Sequence, residues 1–311
     1  MKKDRILIIA GPTAVGKTEY AIEAARRLDG EIVSADSMQL YRFMDIGSAK
    51  PTPQEREAVR HYLVDQIDPR EPFSVYEYRK RAREAIRDIL SKGKVPVISG
   101  GTGLYIHSLI YEMDFSPRPG TDELRKELEK KSAEEGPEAL HALLEEQDPE
   151  AAGRIHPNNT KKIIRALEIL GTGEEVRPFE QSFVPAEDYD CCLVGLTRDR
   201  EELYERIDRR VDLLMETGLT DEVRSLQEMG LRESDISMKG IGYKEVFGYL
   251  KGEYDEAEAV RLIKRNTRRY AKRQLTWLRR YSGLHWVDLS HKNKEEALEE
   301  ILRYWESETW R

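Results

Sequence analysis

Sulfur is scarce in this chain, and so are extended apolar stretches. There are only two cysteines, Cys191 and Cys192. Neighbours on a strand point to opposite faces, so the pair does not suit a structural disulfide. It also lacks the C-x-x-C spacing of a zinc site. A reducing cytoplasm is the simplest expectation. Nothing approaches the ~20 apolar residues that a bilayer-spanning helix needs. The start, Met1-Lys2-Lys3-Asp4-Arg5, runs directly into a strand without a signal-peptide pattern, so no membrane partner is expected. Acids are missing from one place in particular. Between Ala259 and Val287 there is none, against nine cations: Arg261, Lys264, Arg265, Arg268, Arg269, Lys272, Arg273, Arg279 and Arg280. Net charge is nevertheless −8, because Thr121 to Glu150 holds eleven acids and only four bases. Such segregation points to a polyanion on one face. The 311 residues, 39% hydrophobic and 35% charged, describe a globular chain long enough for two lobes.

Residues 11–18 read Gly11-Pro12-Thr13-Ala14-Val15-Gly16-Lys17-Thr18, a complete G-x-x-x-x-G-K-[ST] phosphate loop. The apolar run Ile6–Ala10 precedes it and a helical stretch, Lys17 to Leu28, follows. Free N–H groups and a partial positive charge at a helix N-terminus receive phosphates. Lys17 would reach the terminal phosphates, and the Thr18 hydroxyl would ligate Mg²⁺.

Further strands are expected at Glu31–Ala35, Val95–Ser99, Cys192–Leu196 and Trp286–Leu289, with helices at Val75–Leu90, Arg200–Glu216 and Tyr254–Tyr281. Alternation of strand and helix implies an α/β fold, a P-loop NTPase-like doubly wound parallel sheet whose ligand site lies at the carboxyl ends of its strands. Ser116-Pro117-Arg118-Pro119-Gly120 reads as a linker, and no period-2 pattern follows it. The division expected is therefore a core over residues 1–116, a mostly helical insertion domain over 117–187, and the rest of the core over 188–311.

Asp36 follows the second strand. An acid there, if adjacent strand ends share a crevice, faces the phosphate loop and suits a general base; the alternative is a turn cap. The Val95 strand ends in Ser99-Gly100-Gly101 with no acid, whereas NTP-hydrolysing proteins place a Mg²⁺-holding Asp after such a strand. Arg206 or Arg210 could fork onto a diphosphate, the alternative being i,i+4 pairs such as Glu202–Arg206. In the basic stretch Tyr270, Trp277 and Tyr281 interleave with the cations, as RNA with splayed bases requires; the alternative is pairing of these cations with the acidic insertion.

The ordered series Gly11–Thr18, Asp36-Ser37-Met38-Gln39-Leu40-Tyr41, Asp45–Pro51, Gly100–Tyr105, Arg154–Asn159, Arg165–Glu168, Gly240–Tyr243 and Lys272–Trp277 resembles bacterial tRNA dimethylallyltransferases, the tRNA isopentenyltransferase family. The resemblance runs from Ile6 to Trp286. It implies transfer of a dimethylallyl group from dimethylallyl diphosphate to the exocyclic amine of the adenosine 3′ of the anticodon. It implies Asp36, Thr13, Arg210 and Lys17 as catalytic residues, with Asp36 the base and Arg210 a diphosphate clamp. The loop Gly11–Thr18 would hold diphosphate, with Mg²⁺ on Thr18. Contacts to the anticodon stem-loop of tRNA are implied for Asp36, Ser37, Met38, Gln39, Thr102, Lys161, Lys162, Arg165, Lys239, Gly242, Tyr243, Lys244, Lys272, Arg273, Gln274, Thr276, Trp277 and Arg279. Lys162 and Lys244 stand where arginine is frequent in that family. A monomer is the expected state. Two rival readings share parts of this pattern: an ATP-binding P-loop kinase of a nucleoside or small metabolite, and an adenylate isopentenyltransferase acting on free nucleotide.

Overall fold

A computed structural model describes residues 3–113 and 121–307; the Ser116–Gly120 linker lies outside the described residues. Strand β1 (Asp4–Ala10) leads through α1 (Lys17–Arg27) to β2 (Gly30–Ala35). Helix α2 (Pro53–Ala58), the short β3 (His61–Tyr62) and α3 (Val75–Ser91) precede β4 (Val95–Gly100) and α4 (Gly103–Ile110). Then come α5 (Thr121–Glu135), α6 (Pro137–Gln147), α7 (Pro149–Arg154) and α8 (Thr160–Gly171). The chain continues with β5 (Tyr189–Thr197), α9 (Arg200–Glu216), α10 (Leu219–Glu228), α11 (Tyr243–Leu250), α12 (Glu256–Leu278), β6 (His285–Asp288) and α13 (Lys294–Ser307).

The strands form one parallel sheet in the order β3-β2-β4-β1-β5-β6. Ile6, Leu7, Ile8 and Ile9 of β1 are all fully buried, so both faces of the central strand are covered. A strand buried on both sides reads as an unbroken apolar run, and that is why β1 shows no alternation. Helices take their places by apolar spacing. In α3, Tyr78, Ala82, Ala85, Ile86 and Ile89 form the buried stripe, and the Ser74 side chain accepts from Glu77 N to cap the first turn.

Residues pack into two compact units, Met1–Ile110 with Ala186–Arg311, and Tyr111–Pro185. The first is the α/β unit; its chain leaves at Ile110 and resumes at Ala186, whose amide donates to the Ile110 carbonyl at 3.0 Å. The second is helical, with its own core of Leu128, Leu140, Leu144, Ile163 and Leu167. In it Arg125 forks onto the buried Glu168, at 2.6 and 3.1 Å.

One expectation about layout is corrected. Strand β2 is not beside β1, because β4 lies between them. Asp36 and the phosphate loop therefore share the carboxyl edge of the sheet across an intervening strand, with Ala10 and Ala35 each paired to Gly100.

Candidate active site

The loop after β1 is built as an anion cradle. Ala14 and Gly16 have φ of 63° and 115°, and such left-handed steps turn successive amides toward one concavity. Gly16 is the N-cap of α1 and offers no side chain to its first amides, which leaves them for an external anion. The loop is braced from behind. Arg206 Nε donates to Ala14 O at 2.9 Å and Arg198 Nε to Val15 O at 3.0 Å. The expected Glu202–Arg206 pair is replaced by Arg198 with Glu202, which frees Arg206 for the loop.

Lys17 donates to Pro12 O at 2.7 Å. Burial lowers its ammonium to about 8, with Asp36 opposing and Arg210 adding to the effect. Burial also lowers Arg210, again opposed by Asp36. One carboxylate thus faces two desolvated cations at the mouth of the cradle. Asp36 is at the same time a turn cap, with Oδ1 accepting from Met38 N at 2.8 Å and Gln39 N at 3.4 Å. The turn-cap reading of this residue is therefore observed. The cleft beside the loop is lined by Thr18, Ser34, Gln39 and Ser99, with His61 at its wall.

The turn after β4 joins this group. Thr102 Oγ1 accepts from Ser37 N at 3.1 Å. Tyr270 of α12 lies beside Thr102 and Gln274, and burial with Asp36 nearby holds its hydroxyl up at about 12. Tyr105, next in line, is raised by burial and by Tyr41 and Asp36.

Motifs far apart in sequence meet on the other flank. Glu222 of α10 accepts from Asp45 N and Ile46 N, both at 2.7 Å, from Gly47 N at 3.0 Å and from Tyr243 OH at 2.7 Å. Ser48 N donates to Tyr243 OH at 3.1 Å. Gly47 lies against the Tyr243 ring so closely that a Cβ would meet it at 2.5 Å, which explains a glycine there. Met38 packs on Gly240. Sequence reading missed Glu222 and Arg198, and read Tyr270 only as a ring for RNA bases; a lone acid or arginine in a helix carries no local signal of the loop it will hold.

The residues expected on an RNA-facing surface divide. Lys239, Lys244, Lys272, Arg273, Thr276 and Arg279 are exposed, as are Lys161 and Lys162 of the helical unit. Ser37, Met38, Gln39 and Thr102 are half-buried at the sheet edge. Arg165 reaches Glu168 at 3.3 Å. Gly242, Tyr243 and Gln274 lie beneath the surface: Tyr243 is fully buried on Glu222, and both ends of the Gln274 amide are engaged by backbone. Tyr281 is buried too, receiving Trp277 Nε1 at 2.8 Å and donating to Gly103 O at 3.2 Å. It serves the core, not base stacking. Cations of α12 pair within their own unit: Lys264 with Asp212 at 2.6 Å and Arg268 with Asp208 at 2.7 Å, both acids on α9.

Comparison with known proteins gives the family. A family model described as IPP transferase matches residues 39–281. The tRNA dimethylallyltransferase of Alkaliphilus oremlandii is 51% identical over 301 residues, 96% of each chain. That of Clostridioides difficile is 49% identical over 305 residues, 98% of each. Among solved structures, the tRNA isopentenylpyrophosphate transferase of Bacillus halodurans is 41% identical with a TM-score of 0.75, covering 98% of this chain and 96% of that one. A eukaryotic dimethylallyltransferase acting on tRNA is 28% identical with a TM-score of 0.84, covering 98% and 80%. A phosphate loop, a strand β4 that ends without an acid, and likeness along nearly the whole length lead to one conclusion: the chain belongs to the IPP transferase family.

Proposed function

We propose that this chain transfers a dimethylallyl group from dimethylallyl diphosphate to the exocyclic amine of the adenosine 3′ of the anticodon in tRNA. The observation that carries this reading is Asp36 facing Lys17 and Arg210 over an open helix N-terminus. The amine nitrogen bonds to the allylic carbon while the carbon–oxygen bond to diphosphate breaks, and the oxygen keeps the electron pair. Charge grows on the departing diphosphate, where loop amides, Lys17 and Arg210 would receive it; such donors contribute roughly 2.7–4 kcal/mol each in comparable oxyanion sites. Asp36 accepts the proton lost by the amine. The adenine must leave its stack to reach this edge, and the exposed cations of α12 hold the phosphates that flank it.

Mg²⁺ fits this cleft only with help. Thr18, Ser34, Ser99 and Gln39 offer neutral oxygens beside the loop, and Mg²⁺ prefers a carboxylate or phosphate among its ligands. Thr18 would hold the ion with diphosphate oxygens and water, and the ion would neutralise the leaving group. A monomer is the state proposed. Both thiols are free, and burial raises Cys191 and Cys192 to about 12; no described helix is long and apolar enough to cross a membrane. Cytoplasmic residence, with tRNA at hand, is consistent with both.

The test is incubation with labelled dimethylallyl diphosphate and tRNA, AMP, or ATP with nucleosides. Label is expected in tRNA alone. Label in AMP, or phosphate transfer from ATP, overturns the reading.

A further inference from the structure

Gln274 is a polar side chain only 6% exposed, on the helix that carries the cations. Its Oε1 accepts from Thr13 N at 2.8 Å and its Nε2 donates to Gly101 O at 2.9 Å. Neither partner can be exchanged: one is an N–H and the other a carbonyl, so the amide has a single sensible orientation. Gly101 comes so close that a Cβ there would lie 2.2 Å from Nε2, so a larger residue at this position would push the Gln274 amide off its partners.

From this geometry we infer that Gln274 is a positioning residue for the diphosphate loop, and that its side chain makes no contact with RNA. It anchors the first half of the cradle, at Thr13, to the turn after β4 whose Thr102 holds the Asp36 turn through Ser37 N. The leaving-group site and the base are thereby set at a fixed separation by one side-chain amide. A methyl-for-amide change would leave a loop N–H and a buried carbonyl without partners, a larger penalty than the missing bonds alone. This inference rests on the diphosphate-transfer reading above.

Gln274→Met keeps the volume and removes both bonds. Measured by calorimetry with inorganic diphosphate, its affinity is expected to fall about tenfold. The KM for the prenyl donor should rise in step, with affinity for tRNA changed less than about twofold because the exposed cations are untouched. Unchanged diphosphate affinity with weakened tRNA binding overturns the inference and makes Gln274 an RNA contact. Should the variant not fold, amide exchange in the native chain decides instead. Thr13 N–H is expected to be protected in the ligand-free protein, and exchange at the rate of an open loop overturns the inference. A native chain that neither binds diphosphate nor prenylates tRNA would sink the functional reading itself, a result separable from an active chain with an indifferent Gln274→Met.

Discussion

Lys17 and Asp36 show how one residue can be tuned by its neighbours and what that predicts. The Lys17 ammonium, lowered by burial to about 8, gains an anionic partner when diphosphate binds, so the bound form holds the proton to higher pH. Affinity for diphosphate should be full below pH 8 and fall as pH rises above it, relative to Lys17→Met, whose own curve carries only the ligand's ionisation. Calorimetry in buffers of different ionisation enthalpy should register proton uptake near pH 8 in the native chain and less in the variant. For Asp36, asparagine is the better probe than alanine, because it can still accept from Met38 N and Gln39 N. Asp36→Asn should lower kcat by roughly 10²–10⁴-fold, the usual worth of a general base, while tRNA binding measured by filter retention persists; unaltered turnover would remove Asp36 from the chemistry. The phosphate loop and Asp36 were legible as residue types in sequence order. Their electrostatic partnership was not, since Asp36 and Arg210 are distant in sequence and only the sheet edge brings them together.

Among the elements, α12 and the loop before α2 carry the next expectations. Replacing Lys272, Arg273 and Arg279 by glutamine should weaken tRNA binding and flatten its dependence on salt, by about 0.9 in log–log slope for each phosphate no longer neutralised; a native chain indifferent to salt would contradict an RNA-binding α12. Glu222→Ala should cost about 2 kcal/mol in urea unfolding, because one carboxylate satisfies three loop amides and the Tyr243 hydroxyl. A midpoint equal to the native chain's would show those amides equally well served by water. Helix positions were readable in outline: Arg200–Glu216 was expected and is α9 as observed. What each helix faces was not readable. For the cations of α12 the alternative to RNA was pairing with the acidic insertion, yet Lys264 and Arg268 find their acids on α9, 52 and 60 residues away in sequence, because helices packed side by side can interleave opposite charges.

The molecule as a whole should tolerate loss of its helical part. The α/β unit closes on itself at Ile110 and Ala186, and residues at a contacting exit and return can be bridged with little entropy. Replacing residues 111–185 with a short Gly/Ser bridge should leave one cooperative melting transition and native affinity for inorganic diphosphate, while prenylation of tRNA is lost. A melt without cooperativity would show that the sheet depends on its insertion. The α/β class with its parallel sheet was legible because strands buried on both faces must be apolar throughout. The strand order was not: sequence carries β2 directly after β1, and only the later arrival of β4 separates them.

The acids of α9 also have a consequence for approach. Asp208 and Asp212 neutralise Lys264 and Arg268 where α12 meets α9 and leave Arg269, Lys272 and Arg273 exposed to solvent. The helix would therefore draw a polyanion to the arc that carries those three cations, and not evenly around its girth.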